Sequence, residues 1–152
     1  MNAYSEPAED ALHLVVETFW ETFPPFWQHI RAHIRQAATE QFGIGIEQFQ
    51  ILRHIRRGRS SVSELADARS ISRPAVSQIV DALVNKGLIV RTPDAHDRRR
   101  TRLALTAAGD ALLDAVFKDT RRWMMQLFSR LDDEELQELV RGMHSLRKAQ
   151  PV

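Results

Sequence analysis

Cysteine is absent from the 152-residue sequence. Without a thiol, the chain has no disulfide framework, thiolate metal site, thiol nucleophile or cysteine-based redox switch. The sequence also lacks any apolar run that approaches the roughly 20 residues needed to cross a bilayer. Its acidic start, MNAYSEPAED, lacks the basic and apolar segments of a signal peptide. We therefore expect a protein that stays in the cytoplasm and has no membrane partner.

Motifs for catalysis are missing as well. The sequence contains neither a glycine-rich phosphate loop nor a G-x-S-x-G nucleophile elbow. His29 and His33 stand four residues apart, a spacing that can chelate zinc, but no third ligand is evident. The segment HIRAH also lacks the glutamate of a zinc hydrolase motif. We therefore expect no enzyme activity, no cofactor and no metal site.

Positive charge is concentrated in the middle of the chain. The net charge is only +1, and the composition, 43% hydrophobic and 27% charged, is that of one ordinary globular domain. Residues 53–102, however, contain 12 Lys and Arg against 5 Asp and Glu, a balance of +7. The remaining residues contain 9 against 15, a balance of −6. This basic block indicates a module that faces a polyanion, or else a plain solvated surface.

Helical periodicity dominates the first third of the sequence. Apolar residues with helical spacing form one stripe over residues 8–23, and the stripe resumes after Pro24 and Pro25. We expect these prolines to kink or restart the helix. Gly43 and Gly45 then interrupt the pattern before a short second helix, which ends near Gly58.

The segment 61–87 predicts two short helices joined by a tight turn. Ser61 and Glu64 have the spacing of a capping box, so a helix should begin at Val62. Ser72 can cap the next helix, whose first turn tolerates Pro74, and Gly87 is suited to the left-handed position that ends it. The pair is a helix-turn-helix candidate, although helical hairpins of other kinds share this spacing.

Two short strands follow this helix pair. Residues 88–92 and 100–106 are rich in β-branched or alternating residues and bracket a turn-rich segment. The second strand should place Thr101, Leu103 and Leu105 on one face, and Arg100 and Arg102 on the other. Such a hairpin, or wing, would project arginines toward the backbone and groove of a DNA duplex lying under the second helix of this pair.

These residues resemble the MarR (multiple antibiotic resistance regulator) family of winged helix-turn-helix transcription factors. The matching elements are ELA at 64–66, VSQIVDALVNKGLI at 76–89, and Asp97-Arg98-Arg99 followed by Leu105-Thr106. Upstream, EQFQILRHI at 47–55 is similar to the second helix of the family. Two positions depart from its pattern: Gly45 replaces a capping Thr or Ser, and Arg69 replaces an apolar residue.

The resemblance implies a mainly α fold with a small β-wing in a single chain, 1–152. A winged helix-turn-helix at 46–106 would bind DNA, and flanking helices at 8–42 and 107–148 would form a dimerisation part. The family implies a homodimer that binds palindromic operator DNA, usually as a repressor and often released by a small ligand. The alternative is a winged helix used only for protein contacts, which predicts negligible affinity for duplex DNA even at low salt.

Candidate DNA contacts can be assigned by role. Exposed positions near the start of the helix capped by Ser72 can reach base edges, where Arg suits guanine and Gln suits adenine. The resemblance further implies that Arg99 enters the minor groove and pairs with Asp97. Some of these residues have ordinary alternatives: solvent exposure for the helix and wing residues, and capping for the serines. The candidates are Ser61, Ser72, Arg73, Pro74, Ser77, Gln78, Asp97, Arg98, Arg99 and Arg100.

The C-terminal part predicts a dimer interface. Residues 107–128 carry two adjacent apolar stripes, a face too wide for one neighbour. The last helix opens with a capping box, Asp132 and Glu135, and we expect it to bury Leu139, Val140 and Met143. A two-fold dimer built from these helices and the first would place its recognition helices roughly 34 Å apart, which demands an inverted repeat.

The aromatic residues near the prolines suggest an effector site. Trp20, Phe23, Trp27 and Arg31 cluster there, and an aromatic crevice with one cation would suit a planar anionic ligand. The family resemblance also suggests such a ligand. The ordinary alternative is that aromatic residues at helical spacing belong to a core.

Overall fold

The computed structural model describes residues 9–93 and 101–150. Six helices and one two-stranded sheet follow each other in the described ranges, so the fold is mainly α with a small β-hairpin, as expected. None of the helices in these ranges is both long and apolar enough to cross a membrane. The elements are α1 (Glu9–Phe42), α2 (Ile46–Arg56), α3 (Val62–Arg69), α4 (Arg73–Asn85), β1 (Ile89–Pro93), β2 (Thr101–Leu105), α5 (Ala107–Phe128) and α6 (Asp133–Ala149).

Helix α1 runs without a break through both prolines. Pro24 and Pro25 remove two backbone donors, so the expected restart at this point does not occur even though two helical hydrogen bonds are lost. Only the second half of the helix has buried residues, Ile30, Ala37 and Ala38. The stripe in the first half stays exposed apart from Phe19, which is half-buried. Packing on α5 and α2 therefore holds only the C-terminal half of α1.

The helix-turn-helix begins and ends where local signals place it. Ser61 accepts a hydrogen bond from the Glu64 N–H, and the Glu64 carboxylate accepts one from the Ser61 N–H, so the capping box at the start of α3 is confirmed. Ser72 caps α4 through the Ala75 N–H, at 3.3 Å. Gly87 has a φ of 70°, the left-handed conformation that ends α4.

The hairpin is antiparallel and joins the helices through its second strand. Ile89 pairs with Leu105, and Arg91 pairs with Leu103. Leu103 is buried, and its N–H donates to the Ser60 carbonyl at 2.7 Å, so the α2–α3 connection also bonds to the edge of β2. The alternation expected for β2 is therefore observed at Leu103, whose side chain enters the core.

The core of the described residues lies where α2, α3, α4, β2 and α5 meet, with contributions from the end of α1 and the start of β1. Its buried side chains come from every one of these elements, so the winged helix-turn-helix and the first half of α5 share one core. The largest fully buried side chains are Phe49, Ile44, Ile51, Leu52, Leu65, Leu83, Ile89, Leu113, Val76, Val80 and Val116.

Helix α6 departs from expectation. Asp132 and Glu135 form the capping box that starts it, but none of its residues is buried. Val140 and Met143 are 52% and 49% exposed, and Leu139 is half-buried. Their expected burial is therefore wrong for a single chain, because covering this face requires contacts that one chain does not supply.

Candidate nucleic-acid interface

The outer face of α4 presents polar side chains at the start of the helix. Arg73 is its first residue, Pro74 is its second, and both are exposed. Gln78 is exposed and Ser77 is half-buried, while Val76 and Val80 on the opposite face are fully buried. The helix is therefore held rigidly by its apolar side and offers Arg73, Ser77 and Gln78 to an external partner.

The two candidate serines are engaged as helix caps. At α3, the Glu64 carboxylate accepts hydrogen bonds from the Ser60 and Ser61 N–H groups at 2.8 and 3.0 Å. The bond from the Ser60 N–H is the main reason why the pKa of Glu64 is lowered. Because these amides are already bonded to a carboxylate, capping is the better supported role for Ser61. The Ser72 hydroxyl accepts from Ala75 and keeps its own proton for another acceptor.

The tip of the hairpin lies outside the described residues. Asp97, Arg98, Arg99 and Arg100 belong to it, so their placement stays a prediction. Arg102 pairs with Thr92 close to the tip, and its Nε donates to the Ser60 hydroxyl at 3.2 Å. The strands thus bring the ends of this arginine-rich loop to the same side as the start of α3.

Positive charge also accumulates at the end of α2. Burial, followed by the charges of Arg57, Arg56 and Arg69, lowers the pKa of Arg53. Burial, followed by Arg59, lowers the pKa of His54. The His54 Nδ1 accepts a hydrogen bond from Arg59 Nη1 at 2.9 Å, which requires that this ring nitrogen carries no proton. This end of α2 is thus strongly cationic, in agreement with the basic block seen in the sequence.

The aromatic residues expected to form an effector site make an exposed ladder along α1. Phe19 stacks on Phe23 with centroids 5.0 Å apart, and Phe23 stacks on Trp27 at 6.5 Å. Trp20 is 66% exposed, and Arg31 is exposed. Within one chain these side chains form neither a core nor an enclosed crevice. A cleft of about 530 Å³ lies elsewhere, between the end of α2, strand β2 and the start of α5.

One histidine of the pair in α1, His33, packs against a neighbouring helix. His33 Nε2 lies 3.0 Å from Asp119 Oδ2, and the His33 ring stacks on Trp123 with centroids 4.5 Å apart. Both partners are on α5, whereas His29 is exposed. His33 therefore links α1 to α5.

Three long-range contacts of α3 and α4 were missed by the sequence reasoning. Arg91 of β1 forms an ion pair with Asp81 of α4 at 2.5 Å. Lys86 Nζ donates to the Gly43 carbonyl at 2.6 Å, which ties the end of α4 to the α1–α2 connection. Arg69 Nη2 donates to both carboxylate oxygens of Glu47. No local pattern signals these pairs, because their partners are 10 to 43 residues apart.

The two departures from the family pattern have local solutions. The Gly45 N–H donates to the Gln48 side-chain oxygen at 3.2 Å, so half of a capping box remains although Gly45 offers no side chain. Arg69 replaces an apolar contact with its ion pair to Glu47, but leaves its buried Nε without a hydrogen-bond partner. The ion pair therefore only partly satisfies the buried polar groups of Arg69.

A family model and a known protein relate this chain to the same family. A model of the MarR family matches residues 42–100. The HTH-type transcriptional repressor MdtR of Bacillus subtilis is 31% identical over 111 residues, which cover 72% of this chain and 71% of MdtR.

Solved structures agree with the fold. The transcriptional regulator Tm0710 of Thermotoga maritima superposes with a TM-score of 0.78 at 23% identity, over 87% of this chain and 93% of that chain. A point variant of S. aureus MepR bound to an oligodeoxyribonucleotide gives a TM-score of 0.68 at 25% identity, over 86% and 96%. MepR bound to ethidium bromide gives 0.62 at 25% identity, over 86% and 95%.

Proposed function

The chain belongs to the MarR family of transcriptional regulators, and we propose from this premise that it is a homodimeric repressor that binds palindromic duplex DNA. The observation that carries this proposal is the outer face of α4. Arg73 and Gln78 are exposed near the start of a helix whose opposite face is buried. This is the arrangement in which a recognition helix lies in the major groove with its first residues at base edges.

The wing supplies the second part of the proposed DNA contact. Strands β1 and β2 hold the ends of the loop that contains Arg98, Arg99 and Arg100. By the family resemblance, Arg99 enters the minor groove and Asp97 orients it. A minor-groove arginine responds to groove width and negative potential more than to base identity. In this proposal α4 reads the bases, and the wing contributes affinity that depends little on base identity.

Dimerisation is supported by the apolar surface that one chain leaves uncovered. The first half of α1 exposes large apolar side chains, including Leu12, Val16 and Trp20 at 52%, 50% and 66%. Helix α6 does the same with Val140 and Met143. Soluble monomers rarely expose contiguous apolar patches of this kind. A second copy, related by a two-fold axis, would cover both faces and present two recognition helices to an inverted repeat.

The sign of regulation and the response to ligands are proposed from relatives. MdtR is described as a repressor, and MepR has been solved with ethidium bromide. We place the effector of this chain near Trp20, Phe23, Trp27 and Arg31, where stacked aromatic rings and one cation suit a small aromatic or anionic molecule. A DNA-binding regulator of this kind acts in the cytoplasm, alongside the chromosome.

A direct test is selection of bound sequences from a random duplex library, with and without aromatic acids. The affinity for the selected duplex should fall steeply with salt, because phosphate contacts release counterions. Gln78→Ala should relax discrimination at one or two base pairs by about 1 to 3 kcal/mol, whereas Arg99→Ala should weaken binding to all sequences. Ser145→Ala, an exposed change on α6 whose hydroxyl donates to the Arg141 carbonyl of its own helix, is the matched control and should have no effect.

Three results would contradict the proposal or a part of it. Negligible duplex affinity at low salt would favour the alternative, a winged helix that contacts only proteins. Unchanged affinity and specificity in both the Gln78→Ala and Arg99→Ala proteins would show that the assigned residues do not contact DNA. An inverted repeat among the selected sequences supports the two-fold arrangement, and a single half-site contradicts it.

A further inference from the structure

One ion pair connects the outer face of α4 to the wing. Arg91 Nη2 donates to Asp81 Oδ1 at 2.5 Å, with 42% and 56% of the two side chains exposed. Asp81 belongs to α4, and Arg91 belongs to β1. The pair therefore joins the helix to which the proposed function assigns base readout to a strand that holds one end of the arginine-rich loop.

Asp81 occupies an unfavourable place for a negative charge. It is the single acidic residue of α4 and lies one turn after Ser77 and two turns after Arg73. Residues four apart share one face of a helix, so its carboxylate stands among the residues assigned to DNA contact. A free carboxylate at this place would repel the phosphates of a duplex that approaches this face.

Arg91 reaches this carboxylate because of the hairpin register. Its cross-strand partner is Leu103, which is 4% exposed. Paired residues point to the same face of a sheet, so the Arg91 side chain starts from the face of the hairpin that packs toward the helices. From there its guanidinium extends to the exposed side of α4. The position of Arg91 in the register thus determines which α4 side chain it meets.

Stability alone does not account for the pair. Ion pairs with this degree of exposure typically contribute only about 0 to 1 kcal/mol to folding. The core beneath it, with Val80, Leu83 and Ile89 fully buried, holds α4 and β1 together without it. Substitutions at Arg91 and Asp81 should therefore leave the fold intact, and their main effect should appear where the charge of the α4 face matters.

We propose that Arg91 is a positioning residue of the DNA-contacting surface, which neutralises and holds the Asp81 carboxylate so that the α4 face can approach the phosphates. This inference rests on the proposed function, because it concerns the same surface. It assigns to Arg91 an indirect role through Asp81, distinct from a direct bond to a phosphate or a base.

The test is a double-mutant cycle on the affinity for the selected duplex. Arg91→Gln should weaken binding about tenfold, because it removes a positive charge and uncovers a negative one. Asp81→Asn should change the affinity of the wild-type protein by less than about threefold, because its charge is already compensated. Asp81→Asn in the Arg91→Gln protein should recover most of the lost affinity.

Control variants show whether the effect of Arg91 depends on Asp81 in particular. Asp67→Asn removes an exposed carboxylate from α3 and should not rescue the Arg91→Gln protein. Arg91→Lys keeps a charge that can pair with Asp81 and should retain most of the affinity. Thermal unfolding of all variants should stay close to that of the wild type, so that affinity changes reflect the surface charge.

Each outcome decides the inference. If Asp81→Asn has the same effect with and without Arg91, the residues act independently, Arg91 contacts DNA directly, and the inference is overturned. Unchanged affinity of the Arg91→Gln protein, or a loss that follows a lowered melting temperature, overturns it as well. If the wild-type protein binds the duplex in the same assay, these results overturn only the inference about Arg91. If the wild-type protein does not bind, the proposed function fails, and the inference fails with it.

Discussion

Gly109 of α5 lies against the connection between α4 and β1. A Cβ atom built on Gly109 would lie 2.2 Å from the Leu88 carbonyl oxygen, 3.1 Å from its carbonyl carbon and 3.4 Å from a Leu105 methyl group. The closest neighbour is backbone, so it cannot rotate away. To accept Gly109→Ala, α5 would have to retreat by roughly 1 Å from the α4–β1 junction.

The retreat would disturb the hydrogen bonds that fix this junction. The Thr106 N–H donates to the Leu88 carbonyl at 3.1 Å, and the Thr106 hydroxyl donates to the Gly87 carbonyl at 2.7 Å. The same hydroxyl accepts from the Gly109 N–H and so caps α5. Overpacking costs about 1 to 3 kcal/mol, and each weakened hydrogen bond about 1 kcal/mol, while the better helix propensity of Ala returns about 1 kcal/mol. We expect Gly109→Ala to lower the free energy of unfolding by about 2 to 4 kcal/mol.

Urea denaturation at one fixed protein concentration measures this effect, since the stability of a dimer depends on concentration. Gly142→Ala is the matched control, because a Cβ atom on Gly142 meets nothing within 4 Å. That change should raise stability by about 0.5 to 1 kcal/mol through helix propensity. A Gly109→Ala protein as stable as the Gly142→Ala protein would refute the close approach of α5 to Leu88.

Two further predictions concern the interface and pH. Val140→Glu places a charge in the apolar face of α6, so it should convert a dimer to monomers, as measured by sedimentation, and should weaken DNA binding as a result. Met125→Glu should leave the dimer intact, because Met125 lies outside the apolar stripes of α5 and is 72% exposed. Burial and, after it, the charge of Arg59 lower the pKa of His54 in the folded protein. The His54 imidazole therefore binds a proton more readily in the unfolded chain, so the free energy of unfolding should fall as the pH drops below about 6.5. In denaturation curves at several pH values, His54→Gln should flatten this dependence, and an NMR titration with an ordinary His54 pKa would contradict it.

Local signals account for the elements that sequence reasoning located well. A capping box is complete within four residues, so Ser61 with Glu64 and Asp132 with Glu135 mark helix starts before any tertiary contact is known. Gly87 ends α4 because its backbone adopts a positive φ without strain. The alternation around Leu103 reveals the face of β2 by the same local logic. The wing motif also indicates the family, although the tip of the wing lies outside the described residues.

Contacts between distant segments carry no such signal. The order of residues does not reveal that Arg91 meets Asp81, that Arg69 meets Glu47, or that α5 approaches Leu88 too closely for a side chain at residue 109. Each depends on the angle at which two packed elements cross. Likewise, helical periodicity identified the apolar faces of α1 and α6, but only the tertiary structure showed that one chain leaves them open. Periodicity reports which side chains avoid water, whereas packing geometry decides what covers them.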